Sequence, residues 1–92
     1  MNLAAADEKR IQHLGKAAGS ALRVHRFLQA QPISSIATAS RELKLSVPTV
    51  TSSVERLEKL GIVREITRGK YGRLYAYKKY LDLLNDETQS AS

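Results

Sequence analysis

The sequence predicts an α+β domain, mainly helical: a helix-turn-helix, then a two-stranded β-hairpin, then a short closing helix. Three observations predict it. Apolar residues recur at spacings of three and four through residues 7–60. A Ser-x-Pro-Thr start at Ser46 follows a short helix after a turn of three to four residues, the spacing of a helix-turn-helix. After Gly61 the pattern becomes strand-like, with a basic, glycine-containing segment between two runs of β-branched and aromatic residues.

Each element has its own signal. Residues 7–18 read as a first helix, with acids at the start and Ile11, Leu14 and Ala18 on one side. Gly19-Ser20 interrupts it, and Ser20 is the expected cap of a second helix over residues 20–31, ended by Pro32. Its broad apolar side holds Ala21, Leu22, Val24, Phe27 and Leu28. Ser34 or Ser35 caps a third helix ending at Leu43, with Ile36, Ala39 and Leu43 in register. Ser46 caps a fourth helix, residues 47–60; Pro48 is tolerated in its first turn, where a missing N–H costs nothing. Val47, Val50, Val54, Leu57 and Leu60 form its apolar stripe, and Gly61 is the expected left-handed C-cap. Ile62, Val63 and Ile66 suggest one strand, and Leu74-Tyr75-Ala76-Tyr77 a second, joined by a turn with two glycines. Lys78 to about Asn85 closes the fold, with Tyr80, Leu81 and Leu84. This order is that of a winged helix-turn-helix, the hairpin being the wing.

Ninety-two residues make one domain, placed at residues 1–86 with 87–92 as a disordered tail. The absence of cysteine removes disulfides and thiol chemistry. His13 and His25 have no acidic cluster near them in sequence and are expected on helix surfaces without a role. With no nucleophile–base pair and no metal cluster, the chain is expected to be no enzyme and to need no cofactor. No stretch approaches the roughly 20 apolar residues of a membrane span, and no secretion signal opens the chain, so a cytoplasmic protein without membrane contact is expected.

The charge points to a partner. The net +6 is carried by residues 41–79, since acids and bases cancel outside them. From Gly61 to Lys79, Arg64, Arg68, Lys70, Arg73, Lys78 and Lys79 face one acid, Glu65. Such a surplus fits a polyanion, here double-stranded DNA. In a helix-turn-helix the second helix enters the major groove. The core stripe of residues 47–60 leaves Thr49, Ser52, Arg56 and Lys59 outward, with Ser46 at the cap and Ser53 on a flank. Arg56 reaches a guanine edge or a phosphate. Arg68, Lys70 and Arg73 are the expected backbone or minor-groove contacts of the wing. Tyr71 stacks on the nucleic acid or packs on the hairpin, whereas Tyr75, Tyr77 and Tyr80 are expected in the core. Glu55 and Lys59, four residues apart, are also placed to form a helix-surface ion pair.

The string Leu45-Ser46-x-Pro48-Thr49-Val50, then Leu57-x-x-Leu60-Gly61-Ile62-Val63-x-Glu65-x-Thr67, resembles the C-terminal winged-helix region of bacterial Fic-family proteins. The likeness continues through Arg73-x-x-x-Tyr77-x-x-Tyr80-Leu81-x-x-Leu84 and covers roughly residues 45–84. Fic proteins carry an upstream catalytic domain with a His-Pro-Phe-x-x-Gly-Asn-Gly-Arg loop. Neither His13-Leu14-Gly15 nor His25-Arg26-Phe27 begins that loop, so the transferase activity is not implied here. The family's usual Thr-Gly is replaced by Thr67-Arg68-Gly69. The resemblance implies either a C-terminal fragment of a longer protein or a stand-alone relative.

The expected function is sequence-specific DNA binding in transcriptional control, the helix reading bases and the wing supplying affinity. The alternative is a protein-docking or regulatory module of a Fic-type enzyme. A homodimer or an upstream Fic-type domain is the expected partner besides DNA, with the first helix (residues 1–19) as a dimerisation element.

Overall fold

Two short caps and one left-handed residue shape the centre of the molecule. In a computed structural model, which describes residues 3–66 and 73–91 and the side chains of 6–66 and 73–84, Ser35 opens helix α3 (Ile36–Leu43). Its Oγ accepts from the Thr38 amide at 3.1 Å, satisfying one of the donors a helix start leaves orphaned. Lys44 then takes φ 57°, ψ 40° and turns the chain out of the helix. After Leu45, Ser46 opens α4 (Val47–Lys59) in the same way, accepting from the Thr49 amide at 3.2 Å, with Pro48 in the first turn. Gly61, at φ 76°, ends it as expected for the left-handed position after a helix.

Helix α1 (Leu3–Gln12) precedes α2 (Ala18–Ala30), with a 3-10 turn at Gly15–Ala17 between them. The break therefore falls earlier than Gly19-Ser20, and both of those residues lie inside α2, whose N-cap is Ala17 without a side-chain bond. Gly15 is the cause: its φ of 67° turns the chain where L side chains are strained, whereas Gly19 needs no special conformation.

The sheet has three strands rather than the two expected of the hairpin. Beside β2 (Val63–Glu65) and β3 (Leu74–Tyr77) lies β1 (Ile33–Ser35), in the order β1-β3-β2, all antiparallel. Ile33 pairs with Ala76 and Ser35 with Leu74, while Val63 pairs with Tyr77 and Glu65 with Tyr75. Helix α5 (Lys78–Ala91) follows β3 directly and runs past Asn85, where the polar sequence suggested an end. Among the described residues no helix is long and apolar enough to cross a membrane.

The core gathers Ile11, Val24, Leu28, Val50, Val54, Leu57, Ile62, Val63, Tyr75 and Tyr77. Ile11 is fully buried, so α1 is part of this core. The helix expected as a dimerisation element is thus also part of the monomer's fold. His25 is a correction. It is fully buried, not on a helix surface, and lies edge-on to Tyr77 with ring centroids 5.5 Å apart. Gln29 Nε2 lies 2.9 Å from its Nδ1 and 3.2 Å from its Nε2, and Asp7 Oδ2 lies 3.6 Å from that Nε2. Among the described residues every buried side-chain nitrogen and oxygen has a hydrogen-bond partner.

Candidate nucleic-acid interface

Helix α4 divides its faces sharply. Val50, Val54 and Leu57 are buried. Ser53 is buried with them, because it lies three residues after Val50 and four before Leu57, within the same stripe. Its expected place on the DNA-facing flank is thus overturned. Val47 departs in the opposite sense: it was expected in the core and is 51% exposed, since it stands one turn ahead of the residues that α2 covers. Ser52, Glu55, Arg56 and Lys59 are exposed on the outer side, as their spacing implied. The expected Glu55–Lys59 ion pair does not form, so the Glu55 carboxylate faces solvent on that side.

The hydroxyls at the start of α4 are partly committed. Ser46 Oγ donates to Thr49 Oγ1 at 2.7 Å while accepting the Thr49 amide, so the two side chains close the cap together. Thr49 keeps its own hydroxyl proton for an external acceptor. Arg56 and Lys59 occupy the last turn, where the helix dipole favours cations.

Arg73 is the wing residue that the described structure reaches, at the foot of β3. It is exposed, its Nε lies 3.8 Å from Glu65 Oε2, and a side-chain hydrogen bond with Tyr75 raises its pKa further, holding it in the charged form. Arg73 shares an open groove with Val47, Thr51 and Ile36, so the foot of the wing and the start of α4 flank one surface. Arg68, Lys70 and Tyr71 lie outside the described residues.

Sequence reasoning missed three exposed cations or apolar groups on this side. Arg41 in the last turn of α3 and Lys44 in the turn are both exposed. In a helix-turn-helix the first helix crosses the DNA backbone, and position alone would have flagged them. Val47 was misplaced because an apolar residue in phase with a buried stripe reads as core.

Two basic residues of the first half serve the helices instead. Arg10 donates to the Leu60 carbonyl, and Arg23 to the Leu43 carbonyl at 2.5 Å. Each satisfies a carbonyl at a helix C-terminus and places a cation at its negative end.

A helix-turn-helix on α3 and α4, with β2 and β3 paired after it and α2 behind it, gives this protein a winged helix-turn-helix fold. Residues 20–64, just under half of the chain, match the family model described as winged helix-turn-helix DNA-binding. The match spans α2, β1, α3, α4 and the start of β2; it names the wider class and lends no support to the Fic family in particular. No curated protein and no solved structure matches the chain.

Proposed function

We propose that the chain binds double-stranded DNA sequence-specifically and acts in transcriptional regulation. Helix α4 enters the major groove, and the basic segment 67–73 contacts the backbone or the minor groove. One observation carries the reading: α4 leaves Ser52, Arg56 and Lys59 exposed on one side, and its start shares an open groove with Arg73 at the foot of the wing. The family match over residues 20–64 supports it, as does the positive surplus over residues 41–79. Base contacts fall to Arg56 and the residues of the first two turns, including Thr49 and Ser52. Phosphate contacts fall to Lys59, Arg68, Lys70 and Arg73, with Ser46 at the helix start and Tyr71 on a sugar or base.

A single module of this size covers roughly 600–1,000 Å² of protein surface on DNA, so useful specificity calls for a second copy or an attached domain. The deciding experiment is fluorescence anisotropy of labelled duplexes titrated with the chain at several salt concentrations. Binding that falls log-linearly with salt and differs among sequences supports the reading; no binding at low salt overturns it.

A second reading is protein docking, including a regulatory role beside a Fic-type catalytic domain. Ile33 and Leu83, exposed at 44% and 55%, favour it as apolar surface away from α4. A docking module has no need of the basic residues between Gly61 and Lys79, which is why DNA binding comes first.

A further inference from the structure

Val47 is the largest apolar side chain exposed on α4, lying ahead of the stretch that the core covers. It is the first residue of the helix, at the end that leads into the major groove. Polar residues occupy most of the remaining outer surface: Ser52, Glu55, Arg56 and Lys59. Half of its surface stays open to solvent, so the core alone does not call for a valine there. Its neighbours make the point sharper. Val47 lies in the open groove between the starts of α3 and α4 and the foot of the wing, with Ile36, Ala37 and the partly buried Thr51. The floor is therefore largely apolar, while Arg73 stands on the rim, exposed, with its Nε 3.8 Å from Glu65 Oε2.

A patch of this kind, apolar at the floor and cationic at the rim, suits one feature of duplex DNA. The major groove is polar except at thymine, whose C5-methyl projects from the base edge. We infer that Val47, with Ala37 and Thr51 beside it, is a thymine-reading site that packs against that methyl group while Arg73 holds an adjacent phosphate. The inference rests on the DNA-binding reading and adds to it a base identity and the residue that selects it. Cytosine at the same place offers a bare C5–H and an amino group, which leaves the valine methyls without a partner.

The test removes only the methyl group. Preferred duplexes are selected from a random-sequence pool with the wild-type chain, then remade with each thymine replaced in turn by uracil. Dissociation constants are measured by anisotropy for the wild type and for Val47→Ala, a change at a half-exposed position whose folding is checked by circular dichroism. At one or two positions uracil should weaken wild-type binding about fourfold, the worth of one methyl group removed from water. Val47→Ala should bind the thymine duplex more weakly by a similar factor and should not distinguish uracil from thymine there. Uracil that is neutral everywhere overturns the inference, as does a penalty undiminished in Val47→Ala, or a preferred sequence without thymine. Salt-dependent binding with no sequence preference also overturns it while leaving DNA binding standing. Failure to bind any duplex removes the DNA-binding reading itself, and this inference with it.

Discussion

The Tyr77 hydroxyl donates to Asp7 Oδ2 at 2.8 Å, tying the last strand to the first helix across 70 residues of chain. Lys79 Nζ lies 3.2 Å from the same oxygen and His25 Nε2 3.6 Å away, so one buried carboxylate holds α1, α2, β3 and the start of α5 together. Removing it leaves a buried hydroxyl and a part-buried ammonium without their shared acceptor. Asp7→Ala should therefore cost about 3 kcal/mol. In a domain of this size that lowers the melting temperature by more than 10 °C, at roughly 4–8 °C per kcal/mol. Differential scanning calorimetry checks it, and a change of less than about 2 °C would show that the Asp7 carboxylate does not hold these elements together.

His25 adds a pH dependence. Burial lowers its pKa from 6.5, and this outweighs the opposing pull of the Asp7 charge, the Asp7 hydrogen bond and Glu8; Lys79 acts in the same direction as burial. The folded protein thus holds the neutral ring to lower pH than the unfolded chain does. Below about pH 6.5 the unfolded state takes up the proton first, so stability is full above that pH and declines as the pH falls toward the lower folded pKa. The urea midpoint should fall between pH 7.5 and pH 5.5 in the wild type, and the fall should be much smaller in His25→Gln. A midpoint equally steep in both proteins would place the titration elsewhere.

How far the sequence reveals this molecule depends on the range of the interaction concerned. The helix-turn-helix was legible because its signals are local: Ser35 and Ser46 each cap within three residues, and Gly61 supplies its own turn. Strand β1 was not, because Ile33–Ser35 is too short for a pattern and its partners lie some forty residues away in β3. His25 escaped for the same reason, since the acid that faces it is on another helix. In the candidate interface, helical phase placed Ser52, Arg56 and Lys59 outward but mistook Ser53 and Val47. Phase tells which residues share a face, not how far along the helix the covering element extends. Ser53 falls inside the stretch that is covered and Val47 beyond it.

Arg56 separates base reading from simple attraction. If it reads a guanine, Arg56→Ala should cost about 1–3 kcal/mol on the preferred duplex and little on unrelated DNA. A uniform loss across sequences, with a salt slope shallower by about one, would assign it to phosphate. Competition anisotropy against a panel of duplexes gives both numbers.

Glu55 is exposed on the outer side of α4 and has no ion pair among the described residues; if that side meets DNA, its charge repels phosphate. Glu55→Gln should therefore strengthen binding to unrelated DNA by up to about 1 kcal/mol, the interaction of two unit charges roughly 4 Å apart in water. On the preferred duplex the gain should shrink or reverse if the carboxylate accepts from a cytosine amino group. Equal strengthening on every sequence would leave Glu55 as a general brake on affinity and not a reader.

The wing offers the sharpest division between the two functional readings. Substituting Arg68, Lys70 and Arg73 together by Ala removes three of the six cations between Gly61 and Lys79. If each neutralises a phosphate, the slope of log affinity against log salt should become shallower by roughly three. The preferred sequence should stay the same, because phosphate contacts position the protein while base contacts specify. Arg73 adds a control, since its contact with Glu65 is exposed and contributes little to folding. The triple variant should therefore melt within a few degrees of the wild type while losing most of its affinity at moderate salt. An unchanged salt slope would mean that the positive surplus serves something other than DNA, and would favour docking to a protein with an acidic surface.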